Sequence, residues 1–218
     1  REYHVMPLDR IVTAMADGET LPDYAAALTF DDGYKNNRTV VAPLLREYEM
    51  PATFFVTTGF IEGSIKPWWM KLRRIVAASK VPHMNWNGQY ISLATPEQKM
   101  RAIVLLEEKI KNLSQRDGVA RILELETLFG GVGGRGDALQ GIPILLQGGG
   151  DMMTWSDVRE LAQMGFDIEA HTVSHISFAH EEKDKAVFEV SESLNKIEKE
   201  TDSPPLCSGS VEGPMPPN

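Results

Sequence analysis

The sequence predicts an α/β fold built on a parallel sheet, and three observations lead there. Residues 25–28, Ala25-Ala26-Ala27-Leu28, form a small apolar run that reads as a buried strand. Residues 52–57 form a second apolar run with β-branched members, which suits a pleated surface. Between them, Val40, Val41, Leu44, Leu45 and Tyr48 mark one helical face. Strand, helix and strand in that order imply parallel pairing through a right-handed crossover.

Composition narrows the class. The chain has 218 residues, 42% hydrophobic and 24% charged, which suits one globular domain with room for an insertion. No run approaches the apolar length needed to cross a bilayer. The start, Arg1-Glu2-Tyr3-His4, is not a charged-then-apolar signal segment. It also lacks an initiator Met, so the chain is expected to be a piece of something longer. Cys207 is the single cysteine, which rules out an internal disulfide. A net charge of -9 and a pI near 5.1 make nucleic acid and anionic membranes poor partners, since both need clustered Lys and Arg.

The elements follow in order. Leu8, Ile11, Val12 and Met15 form a helical stripe that Asp17-Gly18 ends. Leu21-Pro22-Asp23 turns into the first strand. After Gly33, Asn36 and Asn37 offer cap residues, and Pro43 puts the start of the regular helix close to itself. From Gly59 to Gly150 the pattern changes. Leu72, Ile75 and Val76 indicate a helix. Asn87-Gly88 is a hairpin turn signal within residues 86–90. Thr95-Pro96-Glu97-Gln98 is a capping box with Pro in the first position. The helix it opens runs to about Leu113, and another spans residues 119–129. We read residues 60–150 as a mainly helical insertion. Trp68 and Trp69 are expected to pin the insertion to the core, although aromatic faces also suit sugar rings. Gly131 to Gly136 matches the dinucleotide pattern G-x-G-x-x-G, but it follows a helix where the fingerprint follows a strand, so a loop is expected. Thr154 caps a helix with Asp157 three residues on, and Gly165 ends it. Residues 166–170 alternate apolar and acidic as a third strand. Residues 185–200 form a last helix with Val187, Val190, Leu194 and Ile197 buried and its Glu and Lys residues solvated. Residues 203–218, rich in Pro, Gly and Ser, read as an irregular tail.

Two stretches carry chemistry. Thr29-Phe30-Asp31-Asp32-Gly33 ends the first strand with paired carboxylates, whose joint ionisation is costly at short range. A bound cation removes that cost. Taken alone, the stretch also reads as an ordinary strand-ending turn. His171-Thr172-Val173-Ser174-His175 follows the third strand, and its histidines share a face if the chain turns helically there. Two imidazoles, one carboxylate and an open water position make a catalytic zinc site. Surface or capping histidines are the alternative. His180, five residues on, reads as a surface histidine.

These motifs resemble those of the polysaccharide deacetylases, carbohydrate esterase family four, with the NodB-homology domain. Leu44-Leu45-Arg46-Glu47-Tyr48, Pro51-Ala52-Thr53-Phe54-Phe55-Val56 and Thr154-Trp155-Ser156-Asp157-Val158 match as well, so the resemblance runs from about Leu21 to Glu200. It implies an incomplete (β/α) barrel of the NodB-like type, with residues 1–202 as a partial domain. It implies Asp31 as catalytic base, and Asp32, His171 and His175 as ligands of a divalent metal, most readily Zn2+. The implied reaction is metal-assisted removal of acetyl groups from a polysaccharide or oligosaccharide, at the bacterial cell envelope or outside the cell. The family's later motifs, including its catalytic acid, have no positions here, so the expectation is an amino-terminal part with weak or no turnover. Two other readings stay open: a non-catalytic metal- or carbohydrate-binding remnant, and a doubly wound protein whose Asp pair holds magnesium. Histidine ligands argue against the second, because magnesium prefers oxygen.

Overall fold

The computed structural model describes residues 2–129 and 152–202. Two short parallel strands come first, β1 (His4–Val5) and β2 (Ala25–Ala26), paired His4 to Ala25. Helix α1 (Leu8–Asp17) lies between them and stops at Gly18, whose φ of 71° is open to glycine at no steric cost. The run read as one buried strand is broken. Residues 25–26 pair with β1, whereas β3 (Thr29–Phe30) pairs with β4 (Thr53–Val56). The ladder changes partner at Ala27-Leu28, and residues 25–28 are half-buried.

A parallel sheet in the order β3-β4-β7, with β7 at Asp167–Ala170, organises the first compact unit, whose described residues are 2–65, 152–175 and 184–202. In it β7 (Asp167–Ala170) pairs with β4, from Thr53 opposite Asp167 to Val56 opposite Ala170. The crossover from β3 to β4 begins with a widened turn at Asn37–Val41, where the Ala42 N–H reaches back to the Asn37 carbonyl. Pro43, which has no N–H to give, then sits in the first turn of α2 (Ala42–Glu47). Ala42 and Leu45 are buried and Val41 packs beside them, but Val40, Leu44 and Tyr48 are exposed, so the helix buries a narrower face than its pattern indicates. Phe54, fully buried, stacks on Phe30 at 5.2 Å and meets Phe166 edge-on at 5.3 Å. Burial of such a side chain stabilises by about 1.5–3 kcal/mol. Helix α3 (Thr58–Ile61) follows β4 directly.

The second unit comprises residues 66–150 and 176–183. Its described part holds α4 (Trp68–Ala78), the hairpin β5 (His83–Trp86) and β6 (Gln89–Ser92), α5 (Pro96–Lys111) and α6 (Gln115–Leu128). Asn87 and Gly88 both have positive φ, 51° and 81°, as a two-residue hairpin turn of this type requires. Thr95 and Gln98 form the reciprocal capping box. Leu72, Ile103, Leu106 and Leu125 centre its core, with Trp68 packed against it. The glycine runs at 131–136 and 148–150 and the tail at 203–218 lie outside the described residues.

In the first unit the Thr154–Asp157 capping box starts α7 (Trp155–Gln163). Its Asp157 also binds Lys35, at 2.7 Å to each carboxylate oxygen. The last helix, α8 (Lys183–Thr201), buries Glu189, Ser193 and Ile197, while Val187 is exposed. Among the described residues no helix is long and apolar enough to cross a membrane.

Candidate metal centre

Parallel strands end at the same edge of their sheet, and here that edge gathers both motifs. Asp31 and Asp32 leave β3, and His171 leaves β7, on either side of central β4. Asp32 turns the chain with a φ of 71°, and the Gly33 N–H closes the turn on the Asp31 carbonyl at 2.9 Å. Gly33 itself has a φ of 89°, and a Cβ there would meet the Ile61 side chain at 2.6 Å.

Thr57, just past β4 and fully buried, ties the two motifs together. Its N–H donates to the Asp32 carbonyl at 3.4 Å, and its hydroxyl donates to the His171 carbonyl at 3.1 Å. The His171 N–H extends the sheet ladder to the Val56 carbonyl at 2.9 Å. The chain then bends in a loop, not the helical turn that would bring residues four apart onto one face. Thr172 and His175 take positive φ, 64° and 57°, and the Thr172 hydroxyl accepts from the His175 N–H at 2.9 Å. Left-handed backbone costs a non-glycine residue roughly 1–2 kcal/mol. Three such residues, Asp32, Thr172 and His175, lie in this one place, and such strain characteristically concentrates at functional sites.

The result is a compact donor set. His171 Nε2 is 3.4 Å from Asp32 Oδ1, and His175 Nε2 is 3.2 Å from the same oxygen. One ligand atom from each of the three lies within 4.8 Å of the others. The imidazole rings stand 4.9 Å apart at 79°, and Phe60 lies nearly parallel to His175 at 6.2 Å. Burial pushes His171 below the usual histidine value and the His175 ring adds to that, while Asp31 and Asp32 oppose it. A neutral imidazole offers the lone pair that a metal needs. Two imidazole nitrogens and one carboxylate oxygen, all half-buried, fit a zinc-type ion with an open position better than an all-oxygen ion. Asp31 is exposed beside them, near enough for its charge to act on His171.

The other histidines do not join this cluster. His180 is exposed on a short 3-10 turn (Phe178–His180), and His83 stacks on Tyr90 at 5.0 Å. Sequence reasoning missed Thr57, which reads as the last residue of an apolar strand, and Glu189, which reads as one more acid on a charged helix. Glu189 is 4% exposed and accepts hydrogen bonds from the Val173 N–H at 2.9 Å and the Ser174 N–H at 2.8 Å.

Residues 18–120 match the family model for polysaccharide deacetylase. Several solved structures are similar, and three of them are these. One is the deacetylase PplD of Streptococcus pyogenes in complex with acetate: 15% identity over 93% of this chain and 53% of that one, TM-score 0.50. Another is a de-N-acetylase from Aggregatibacter actinomycetemcomitans: 17% identity over 93% and 60%, TM-score 0.45. The third is the BpsB deacetylase domain from Bordetella bronchiseptica: 15% identity over 96% and 66%, TM-score 0.45. At such identity the likeness to the first is one of α/β fold. The chain spans about half of the length of that deacetylase. Among curated proteins none matches.

Proposed function

We propose, starting from the polysaccharide deacetylase match over residues 18–120, that the chain belongs to a metal-dependent hydrolase that removes acetyl groups from a carbohydrate polymer. The observation that supports this best is the convergence of Asp32, His171 and His175 at the sheet edge where Asp31 also emerges. In this reading the sheet β3-β4-β7 is part of a (β/α) barrel. Residues 1–202 form the partial deacetylase domain, with residues 60–150 as its insertion.

Asp32, His171 and His175 would hold the divalent cation, Zn2+ by donor chemistry. When bound, such an ion polarises a carbonyl and makes water a better nucleophile at neutral pH. Asp31, exposed and next to the ligand set, takes the proton of the attacking water as general base. Thr57 and the His171–His175 loop fix the imidazoles relative to the Asp32 carboxylate, so that substrate meets an arranged site. Water adds to the acetyl carbonyl as Asp31 takes its proton, the C–N or C–O bond breaks, acetate leaves, and the proton that Asp31 took is returned, by way of water, to the sugar amine or hydroxyl. A substrate of this kind, an acetylated polysaccharide or oligosaccharide, would place the activity at or beyond the cell envelope.

Metal analysis and acetate release from acetylated chitooligosaccharide or acetylated xylan test this together. Asp32→Ala and His171→Ala should lose the metal. Asp31→Asn should keep it and lose about 100- to 10,000-fold in turnover, the usual contribution of a positioned acid or base. Full metal occupancy in both ligand variants would overturn the site. Metal binding without acetate release, by this chain and by one extended with the family's later motifs, would leave a binding module in place of an enzyme.

A further inference from the structure

The loop between the two histidines has its own backbone donors to satisfy, and one side chain satisfies two of them. Glu189, on α8, points both carboxylate oxygens at it. Oε2 accepts from the Val173 and Ser174 N–H groups at 2.9 and 2.8 Å, and Oε1 accepts from the Ser174 hydroxyl at 2.5 Å. Glu189 and Ser174 are both buried, 4% and 8% exposed. A carboxylate out of water is costly unless its oxygens are well bonded, and hydrogen bonds to a charged acceptor are about twice as strong as neutral ones. The other side of the loop is held as firmly: the Thr58 N–H donates to the Thr172 carbonyl at 3.1 Å, and the Gly59 N–H to the Val173 carbonyl at 2.9 Å. Val173 is thus fixed through its N–H by Glu189 and through its carbonyl by Gly59, midway between His171 and His175.

We propose that Glu189 is a positioning residue for the candidate metal centre: by bonding the backbone of Val173 and Ser174 it sets the spacing and direction of the two imidazoles. This rests on the metal-site reading above. Glu189 bonds the Val173 and Ser174 N–H groups and the Ser174 hydroxyl, so its effect runs through the loop. Its removal would take this acceptor from the Val173 and Ser174 N–H groups and let the loop take other shapes, with the histidines no longer presented together. Groups that orient metal ligands from behind typically change metal affinity by about 10- to 100-fold when mutated.

Zinc affinity measured by competition with a chromophoric chelator, alongside melting of the metal-free protein, tests the proposal. Glu189→Leu should weaken zinc binding about 10- to 100-fold. Glu189→Gln should restore it to within about threefold, because its amide oxygen can take both N–H groups while its NH2 donates to the Ser174 hydroxyl. Ile197→Ala, on the same buried face of α8, is the control for simple destabilisation: it should lower the melting temperature and leave zinc affinity unchanged. If Glu189→Leu does not fold, Ser174→Ala takes its place and should weaken zinc binding severalfold. Wild-type zinc affinity in Glu189→Leu, or in Ser174→Ala where that is the variant measured, overturns the inference alone. A wild-type protein that binds no divalent cation overturns both this and the metal-site reading.

Discussion

Gly59→Ala tests how tightly the histidine loop is held. A Cβ at Gly59 would lie 2.6 Å from the Val173 carbonyl oxygen and 2.9 Å from the tip of Ile65. Ile65 can rotate away, but the Val173 oxygen belongs to the backbone between the two histidines. Ordinary contact begins at 3.4 Å, so the carbonyl must retreat by about 0.8 Å or α3 must shift by as much. The Gly59 N–H to Val173 hydrogen bond opens with it. Nothing else about the change is unfavourable: Gly59 is not among the positive-φ residues, and alanine favours helix over glycine by about 0.8–1.0 kcal/mol. Any loss must therefore come from the displaced loop. A misplacement of about 1 Å in a catalytic site can cost ~100-fold, so a loss of roughly 10- to 100-fold in zinc affinity and turnover is expected. Isothermal titration with zinc and acetate release read both. Wild-type affinity together with a higher melting temperature would refute the reasoning, since the loop would then tolerate a backbone shift of this size.

Two further changes reach the same edge of the sheet and the cap beside it. Thr57→Val keeps shape and strand propensity but leaves the His171 carbonyl without its hydroxyl donor, and should destabilise by about 1–2 kcal/mol in urea unfolding, with weaker zinc binding; no change in either would mean that this hydrogen bond holds nothing in place. Asp157→Asn removes the Lys35 ion pair and weakens the cap on α7. Burial alone would raise the Asp157 carboxyl, but Lys35 and Thr154 outweigh it and hold it below the usual 3.8. A carboxyl lowered in the folded state stabilises fully above its unfolded value and loses that contribution as pH falls through the folded one. The variant should be about 1–2 kcal/mol less stable at pH 7, allowing for solvent screening at Lys35, and the gap should narrow as pH falls below the unfolded value and through the lowered folded one. A gap that stays constant down to the lowest pH at which the protein remains folded would show that ionisation of Asp157 plays no part.

What could be read in the sequence was what short windows encode. Asn87-Gly88 demands positive φ at both positions and so announces the hairpin. Thr95 with Gln98, and Thr154 with Asp157, announce helix starts because both halves of the box lie within four residues. The two motifs of the candidate metal centre were visible because each combines unusual residue types with a strand end. Glu189 was not, because its hydrogen bonds go to the N–H groups of Val173 and Ser174, which no helical pattern on its own element reveals. Apolar periodicity pointed to Val187, Val190, Leu194 and Ile197, whereas the buried stripe is Glu189, Ser193 and Ile197. The same limit explains residues 25–30. Alternation and apolar character mark extended chain, but which neighbour each residue pairs with is decided by strands far away in sequence.

The order β3-β4-β7 also carries a history of assembly. Phe30 and Phe54 close a loop of about 24 residues, while Phe54 and Ile168 close one of about 114. Loop closure costs more for the longer span and non-local pairing is slow. Asp32 can therefore be in place early, on a β3-β4 pair, while His171 and His175 arrive only when β7 docks. A partly folded chain would carry the carboxylate without its imidazoles and hold a cation poorly. A ligand that binds only the finished arrangement adds stability by mass action, about 2.7 kcal/mol at a hundred times its dissociation constant. The ion would then serve the protein as a latch on the last strand to join, and metal depletion would loosen β7 first.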